Sequence, residues 1–210
     1  KVKEFIQGYL FNTRIDLDNL NSLRNLSEIG ASRTIFETFK KEINTLTVLD
    51  KGEAEIRDYI KISKSRPFVV KDQGYIVPKK SIFNKIIGDS HFELEFASFL
   101  EKYEDIISYA KNYFAVHFKI DYKNADGSIS DYYPDFIVKV SPKEYYVVET
   151  KGREDLDDVE KIKRLAQWCE DVNANQKNIV YKMLYIKQEE WEKQTQKSRN
   201  FQEAIRAFGK

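Results

Sequence analysis

The stretch DYYPDFIVKVSPKEYYVVETKG, residues 131–152, decides the architecture. Its two halves, DYYPDFIVKV and EYYVVETKG, are rich in β-branched and aromatic residues, which suit a pleated, half-buried surface. Ser141-Pro142-Lys143-Glu144 between them is a short turn, so the halves read as adjacent antiparallel strands. A strand period of two puts Glu149 and Lys151 on one face, with Val148 and Thr150 on the other. Asp135 follows Pro134 on the first strand, and counting back from the turn brings it beside Glu149. Two carboxylates and an ammonium are therefore expected to converge, embedded in apolar neighbours that make unpaired charge costly.

Working outward, HFELEFASFLEKYEDIISYAKN (91–112) predicts a helix with Phe92, Phe96, Phe99 and Leu100 on one side and Glu93 near its start. FAVHFKIDYK (114–123) predicts a strand, joined to the next through NADGS, whose Asp126-Gly127 is a hairpin signal. DLDDVEKIKRLAQWCEDVN (155–173) predicts a helix with Val159, Ile162, Leu165, Ala166 and Cys169 inward. IVYKMLYIK (179–187) predicts a fourth strand, and the remainder reads as helix to the end. The order helix, three antiparallel strands, helix, strand gives an α/β fold, an α+β mixed sheet with helices against its faces.

The first 66 residues read mostly as helix. Arg33 to Val48 carries Ile35, Phe36, Phe39, Ile43 and Leu46 at three- and four-residue spacings, and a short helix is expected from Gly52 to Ile62, with Ala54, Ile56, Tyr59 and Ile60 inward. Gly74 and Pro78 punctuate RPFVVKDQGYIVPKKS, so the junction is expected between Arg66 and Ser90, dividing the chain into a helical segment, 1–70, and a second domain, 71–210. The first residue is Lys1 rather than Met, which suggests a piece of a longer protein.

The converging set suits phosphodiester hydrolysis. A hard cation such as Mg²⁺ takes oxygen ligands at about 2.1 Å, often from one or two carboxylates plus waters and substrate phosphate. Asp135 and Glu149 offer the carboxylates, and the Thr150 backbone carbonyl is placed to join them. Glu93, on the neighbouring helix, is the candidate third acid. Lys151 can hold or deprotonate a metal-activated water and neutralise charge building on the phosphate. The plainer reading is that Asp after Pro starts a strand at a turn, and that Glu-x-Lys is the solvated face of a strand.

The stretches YYPDFIVKV and YYVVETKGRED, preceded by SHFELEFASFLE and SYAKNYFAVHF and followed by KRLAQWCEDVN, resemble the endonuclease domain at the C-terminus of type III restriction enzyme restriction subunits and related helicase-nucleases. The resemblance runs from about Gly74 to Lys187, with Pro134-Asp135 matching the PD, Glu149-Thr150-Lys151 the ExK and Glu93 the helical acid of a PD-(D/E)XK nuclease. It implies a restriction-endonuclease-like fold and Mg²⁺-dependent cleavage of double-stranded DNA, with Mn²⁺ as a substitute. It also implies an upstream helicase/translocase on the same polypeptide, which alone would use ATP, and a partner methyltransferase subunit carrying specificity. Residues 1–66 would then connect motor to nuclease. The alternative from another class is a DNA-binding or assembly module that keeps the fold without catalysis; a third is an exonuclease or nickase acting on single strands.

Lys111, Asn112, Arg153 and Gln167 are candidate DNA contacts. Helix termination by Lys111 and Asn112, and a solvated helix position for Gln167, are the plainer readings. Lys79, Lys80 and Lys85 read as a solvated cluster or a basic edge along DNA. His91 and His117 stand apart from Cys or His at ligand spacing, which speaks against zinc, and the chain has no phosphate-binding glycine loop for ATP. Its 35 Lys+Arg against 34 Asp+Glu leave a net charge of +1, which neither favours nor disfavours DNA. One cysteine precludes an internal disulfide, and no run approaches the ~20 apolar residues of a membrane span. A soluble, cytoplasmic protein is the expectation.

Overall fold

The computed structural model describes residues 2–49, 54–70, 73–124, 126–153, 155–194 and 198–208. The chain forms two compact units, Lys1–Gly52 and Glu53–Lys210.

The first unit holds helices α1 (Val2–Gly8), α2 (Leu20–Leu26) and α3 (Ile29–Leu49). Asn19 caps α2 by accepting from the backbone N–H groups of Asn21 and Ser22. The predicted apolar stripe of α3 is only partly used. Phe39 meets the Phe5 ring edge-on at 5.8 Å, whereas Phe36 and Ile43 are exposed; the side chain of Leu46 lies outside the described residues. The short helix expected over 52–62 does not form where the chain is described. Residues 54–61 are irregular, followed by one 3-10 turn at Ile62–Lys64.

The second unit is built on a four-stranded sheet in the order β3–β6–β7–β8: β3 (Ser108–Lys111), β6 (Phe136–Ser141), β7 (Glu144–Lys151) and β8 (Val180–Lys187). Strands β3, β6 and β7 are antiparallel neighbours, while β7 and β8 run parallel and are joined through α5 (Asp158–Asn175). The mixed sheet is as expected, but its first strand is not. The helix predicted over 91–112 stops at Lys102 (α4, His91–Lys102), and 108–111 pairs with β6 instead. The reason lies in Tyr103–Ile107: the Asp105 carboxylate turns to cap a later helix, and the β-branched pair that follows favours extended chain, with Ile106 2% exposed.

The strand predicted over 114–123 is likewise divided. Phe114–Val116 is a 3-10 turn closed by His117 in the left-handed region at φ 61°, and only Ile120–Lys123 is extended (β4). With β5 (Ile129–Tyr132) it forms a separate hairpin over Gly127, whose φ of 86° the tight turn needs. A third pair, β1 (Tyr75–Ile76) and β2 (Ile86–Ile87), precedes α4.

The sheet separates two cores. On one face Phe96, Leu100, Phe136, Val138 and Val148 pack with Trp191 of α6 (Gln188–Gln194) and with Phe201 and Phe208 of α7 (Phe201–Phe208). On the other, Val147, Tyr122 and Tyr132 pack with Leu165 and Cys169 of α5. The continuous terminal helix expected from the sequence is two helices, because Asn200 and Asp105 start a new one: Asp105 accepts from the N–H groups of Phe201 and Gln202 at 3.1 and 3.0 Å. Among the described residues no helix is long and apolar enough to cross a membrane.

Candidate active site

Asp135 stands at the centre of the site. It follows the buried Pro134 and leads into β6, and because Phe136 pairs with Val148, the antiparallel register puts Asp135 opposite Glu149. Its Oδ2 accepts from the backbone N–H of Thr150 at 2.8 Å and from the Thr150 hydroxyl at 2.6 Å. Its backbone is gripped as well. The N–H of Asn112 donates to the Asp135 carbonyl at 2.7 Å, and the Asn112 side-chain amide donates to the carbonyls of Pro134 at 2.9 Å and Phe118 at 2.8 Å.

Glu149 and Lys151 share the α5 face with Val147, as a period of two requires. The Tyr132 hydroxyl donates to Glu149 Oε2 at 2.9 Å. Each acid thus has one oxygen anchored, and among the described residues no donor reaches Oδ1 of Asp135 or Oε1 of Glu149. Burial, followed by the charge of Asp135, pushes the Glu149 carboxyl up to about 9. Burial raises that of Asp135 too, against the pull of Lys111 and the Thr150 hydrogen bonds. Two carboxylates with uncommitted oxygens and poor solvation form a place that favours a cation.

The remaining charges are already paired. Lys151 donates to Asp158 Oδ1 at 2.7 Å and to Asp155 Oδ2 at 2.9 Å, and its side chain is 17% exposed. Burial lowers its pKa, but the two aspartates outweigh that and leave it raised, so Lys151 is an ammonium. Lys161 adds a second cation to the pair at 3.4 Å from Asp155 and 3.5 Å from Asp158. On the α4 side, Glu93 Oε2 sits 2.5 Å from Lys111 Nζ and accepts from the Asp89 N–H at 3.0 Å, while the Ser90 hydroxyl accepts from the Glu93 N–H at 3.2 Å. Ser90 and Glu93 form a capping pair at the start of α4, a role legible in the S-x-x-E spacing.

The structure brings Asp135, Glu149 and Thr150 together and sets Glu93 and Lys111 beside Asp135. Lys111 and Asn112 do not end a helix: Lys111 closes strand β3, and both are buried, at 2% and 7% exposure. Arg153 and Gln167 are exposed; Gln167 donates to Asp171 at 2.9 Å on its own helix. Lys79 and Lys80 are turned by their backbone N–H groups onto the Glu101 carboxylate at 3.0 and 3.2 Å. Tyr132, Asp155 and Asp158 were not anticipated. The acidic run at 155–158 is an ordinary helix start, and only the fold shows that it faces Lys151. Among the described residues no group of three or more His, Cys, Asp and Glu gathers closely enough to hold a metal. Two carboxylates nonetheless fit Mg²⁺, which takes its other ligands from water and phosphate.

Residues 79–172 match the family model of an endonuclease domain. The matched span includes Glu93, Lys111, Asn112, Tyr132, Asp135, Glu149, Thr150, Lys151, Asp155 and Asp158. It supports a restriction-endonuclease-like domain in this part of the chain, with nuclease as its activity class and DNA as its substrate class. No curated protein and no solved structure matches the chain.

Proposed function

We propose that residues 71–210 are a Mg²⁺-dependent endodeoxyribonuclease of a type III-like restriction enzyme, hydrolysing phosphodiester bonds in double-stranded DNA. The observation that carries the reading is the pair of uncommitted oxygens on Asp135 and Glu149, two partly buried acids set opposite one another in the register. These two would hold the cation, with the Thr150 carbonyl as a further ligand. When bound, the cation lowers the pKa of a water and polarises the scissile phosphate.

The chain's own groups do the rest. Thr150 and Asn112 fix the position of Asp135 from its side chain and its backbone. Tyr132 stays a neutral donor, because burial and the neighbouring Glu149 raise its pKa, and it orients the Glu149 carboxylate. Lys151 enters as an ammonium that neutralises charge developing on the phosphate, not as the base, since Asp155 and Asp158 keep its proton in place. Arg153 and Gln167, exposed beyond the strand end and on α5, are assigned to the DNA backbone. Lys111 and Asn112 act from inside. A helicase/translocase on the same polypeptide, reached through residues 1–70, and a methyltransferase subunit supplying specificity complete the reading.

The test is plasmid cleavage at high protein concentration with Mg²⁺ or Mn²⁺. Activity lost in Asp135→Ala and Lys151→Ala supports the reading, and a wild type that cuts no better than these variants defeats it. The second reading, a non-catalytic DNA-binding module, is favoured by one observation: Lys151 is bound by two aspartates. DNA binding that survives chelation, without cleavage under any metal, selects it.

A further inference from the structure

The inference rests on the metal-nuclease reading and concerns how many cations the site accepts. Asp135 has a different neighbour on each of its sides. Towards α5 it meets Glu149, which forms no ion pair among the described residues, Lys151 and Lys161 acting on it only at longer range. Towards α4 it meets Lys111, which is 2% exposed and sits 2.5 Å from Glu93 and 3.4 Å from Asp89. The Lys111 ammonium also lies 5.4 Å from the centre of the Phe136 ring, one residue from Asp135. A second divalent cation next to the first would need Glu93, since Asp89 is an exposed surface carboxylate. We propose that the site binds one divalent cation, between Asp135 and Glu149, and that Lys111 is a built-in monovalent cation filling the Glu93 side where a second metal would bind.

Charge counting gives the same answer. Glu93 and Lys111 cancel, Lys151 and Lys161 are matched by Asp155 and Asp158, and Asp135 with Glu149 leaves two negative charges for one dication. A second dication would leave the buried cluster positive, and uncompensated buried charge is strongly unfavourable. Lys111 is a positioning residue: it touches the acid that would otherwise ligate, and not the reacting atoms.

The experiment counts Mn²⁺ by titration calorimetry on the whole chain, with Asp135→Ala as the blank for ions bound elsewhere. One Mn²⁺ per chain above the blank is expected, giving a paramagnetic resonance spectrum of isolated ions. Two above the blank, or a spin-coupled Mn²⁺ pair, overturns the proposal while leaving the nuclease reading intact. No difference from the blank defeats the nuclease reading itself. Lys111→Met, which frees Glu93, is expected to raise the count from one to two. A folded Lys111→Met that still binds one overturns the role of Lys111, and if it does not fold, the wild-type count and spectrum decide.

Discussion

The two sides of the central sheet handle buried charge in opposite ways. On the α4 side Glu93 meets an ammonium and caps its helix, whose Phe92, Phe96 and Phe99 pack in one core with Trp191. On the α5 side Glu149 accepts from a tyrosine hydroxyl and faces a second acid, the charges of Lys151 and Lys161 do not offset its burial, and its carboxyl is pushed up to about 9. A glutamate is thus settled on one face and unsettled on the other. The lesson concerns where to look for chemistry: not at the acid with the most contacts, but at the one whose partner must come from outside.

Substitution on the unsettled side is the most severe way to probe that contrast. Asp135→Ala is expected to lower the cleavage rate roughly ten-thousandfold, more than ~5 kcal/mol of transition-state stabilisation, while near-native circular dichroism is retained. A rate within tenfold of wild type would erase the distinction between the two sides. Phe96→Ala probes the settled side. The ring is fully buried and edge-on to Phe136 at 5.2 Å and to Trp191 at 5.3 Å, so the loss in urea unfolding is expected at about 3–5 kcal/mol.

Acidity sharpens the comparison further. The folded Glu149 carboxyl titrates near 9, above the ~4.3 of an unfolded chain, so between those values the folded protein holds a proton that the unfolded one has released. Stability without metal is then highest below the unfolded pKa and is lost as pH rises towards the folded one. Glu149→Gln should remove that loss, raising metal-free stability by roughly 1–3 kcal/mol at pH 8 while abolishing cleavage. Melting temperatures in chelator at pH 5 and pH 8 check it, and an unchanged difference between the two proteins counts against it. The smallest effect belongs to the cap: Ser90→Ala should cost about 1 kcal/mol, seen as a lower urea midpoint with the metal count unaltered.

Much of the α5 side was legible in the sequence. Glu149-x-Lys151 needed only the strand period, and Asp135 only the short turn that sets the register. The α4 side was misread for a physical reason. Ser108–Lys111 is four residues on the sheet's edge, short enough to continue the spacing of the preceding helix, so Lys111 read as a helix terminus rather than a buried counter-ion. Pairing with β6 overrode that local pattern. Asn112 was misread with it. It read as a helix end or a DNA contact, whereas its amide is spent on the carbonyls of Phe118 and Pro134, contacts between segments that no local period reveals.

The parallel strand β8 lies outside the matched span, yet it pairs with β7 over its full length, from Glu144↔Val180 to Lys151↔Lys187. A chain ended at residue 172 would uncover the edge of the very strand that carries Glu149 and Lys151, along with the surface that Trp191, Phe201 and Phe208 now seal. Such a truncation would offer a ready template for self-association, and would be expected to precipitate before it could be assayed.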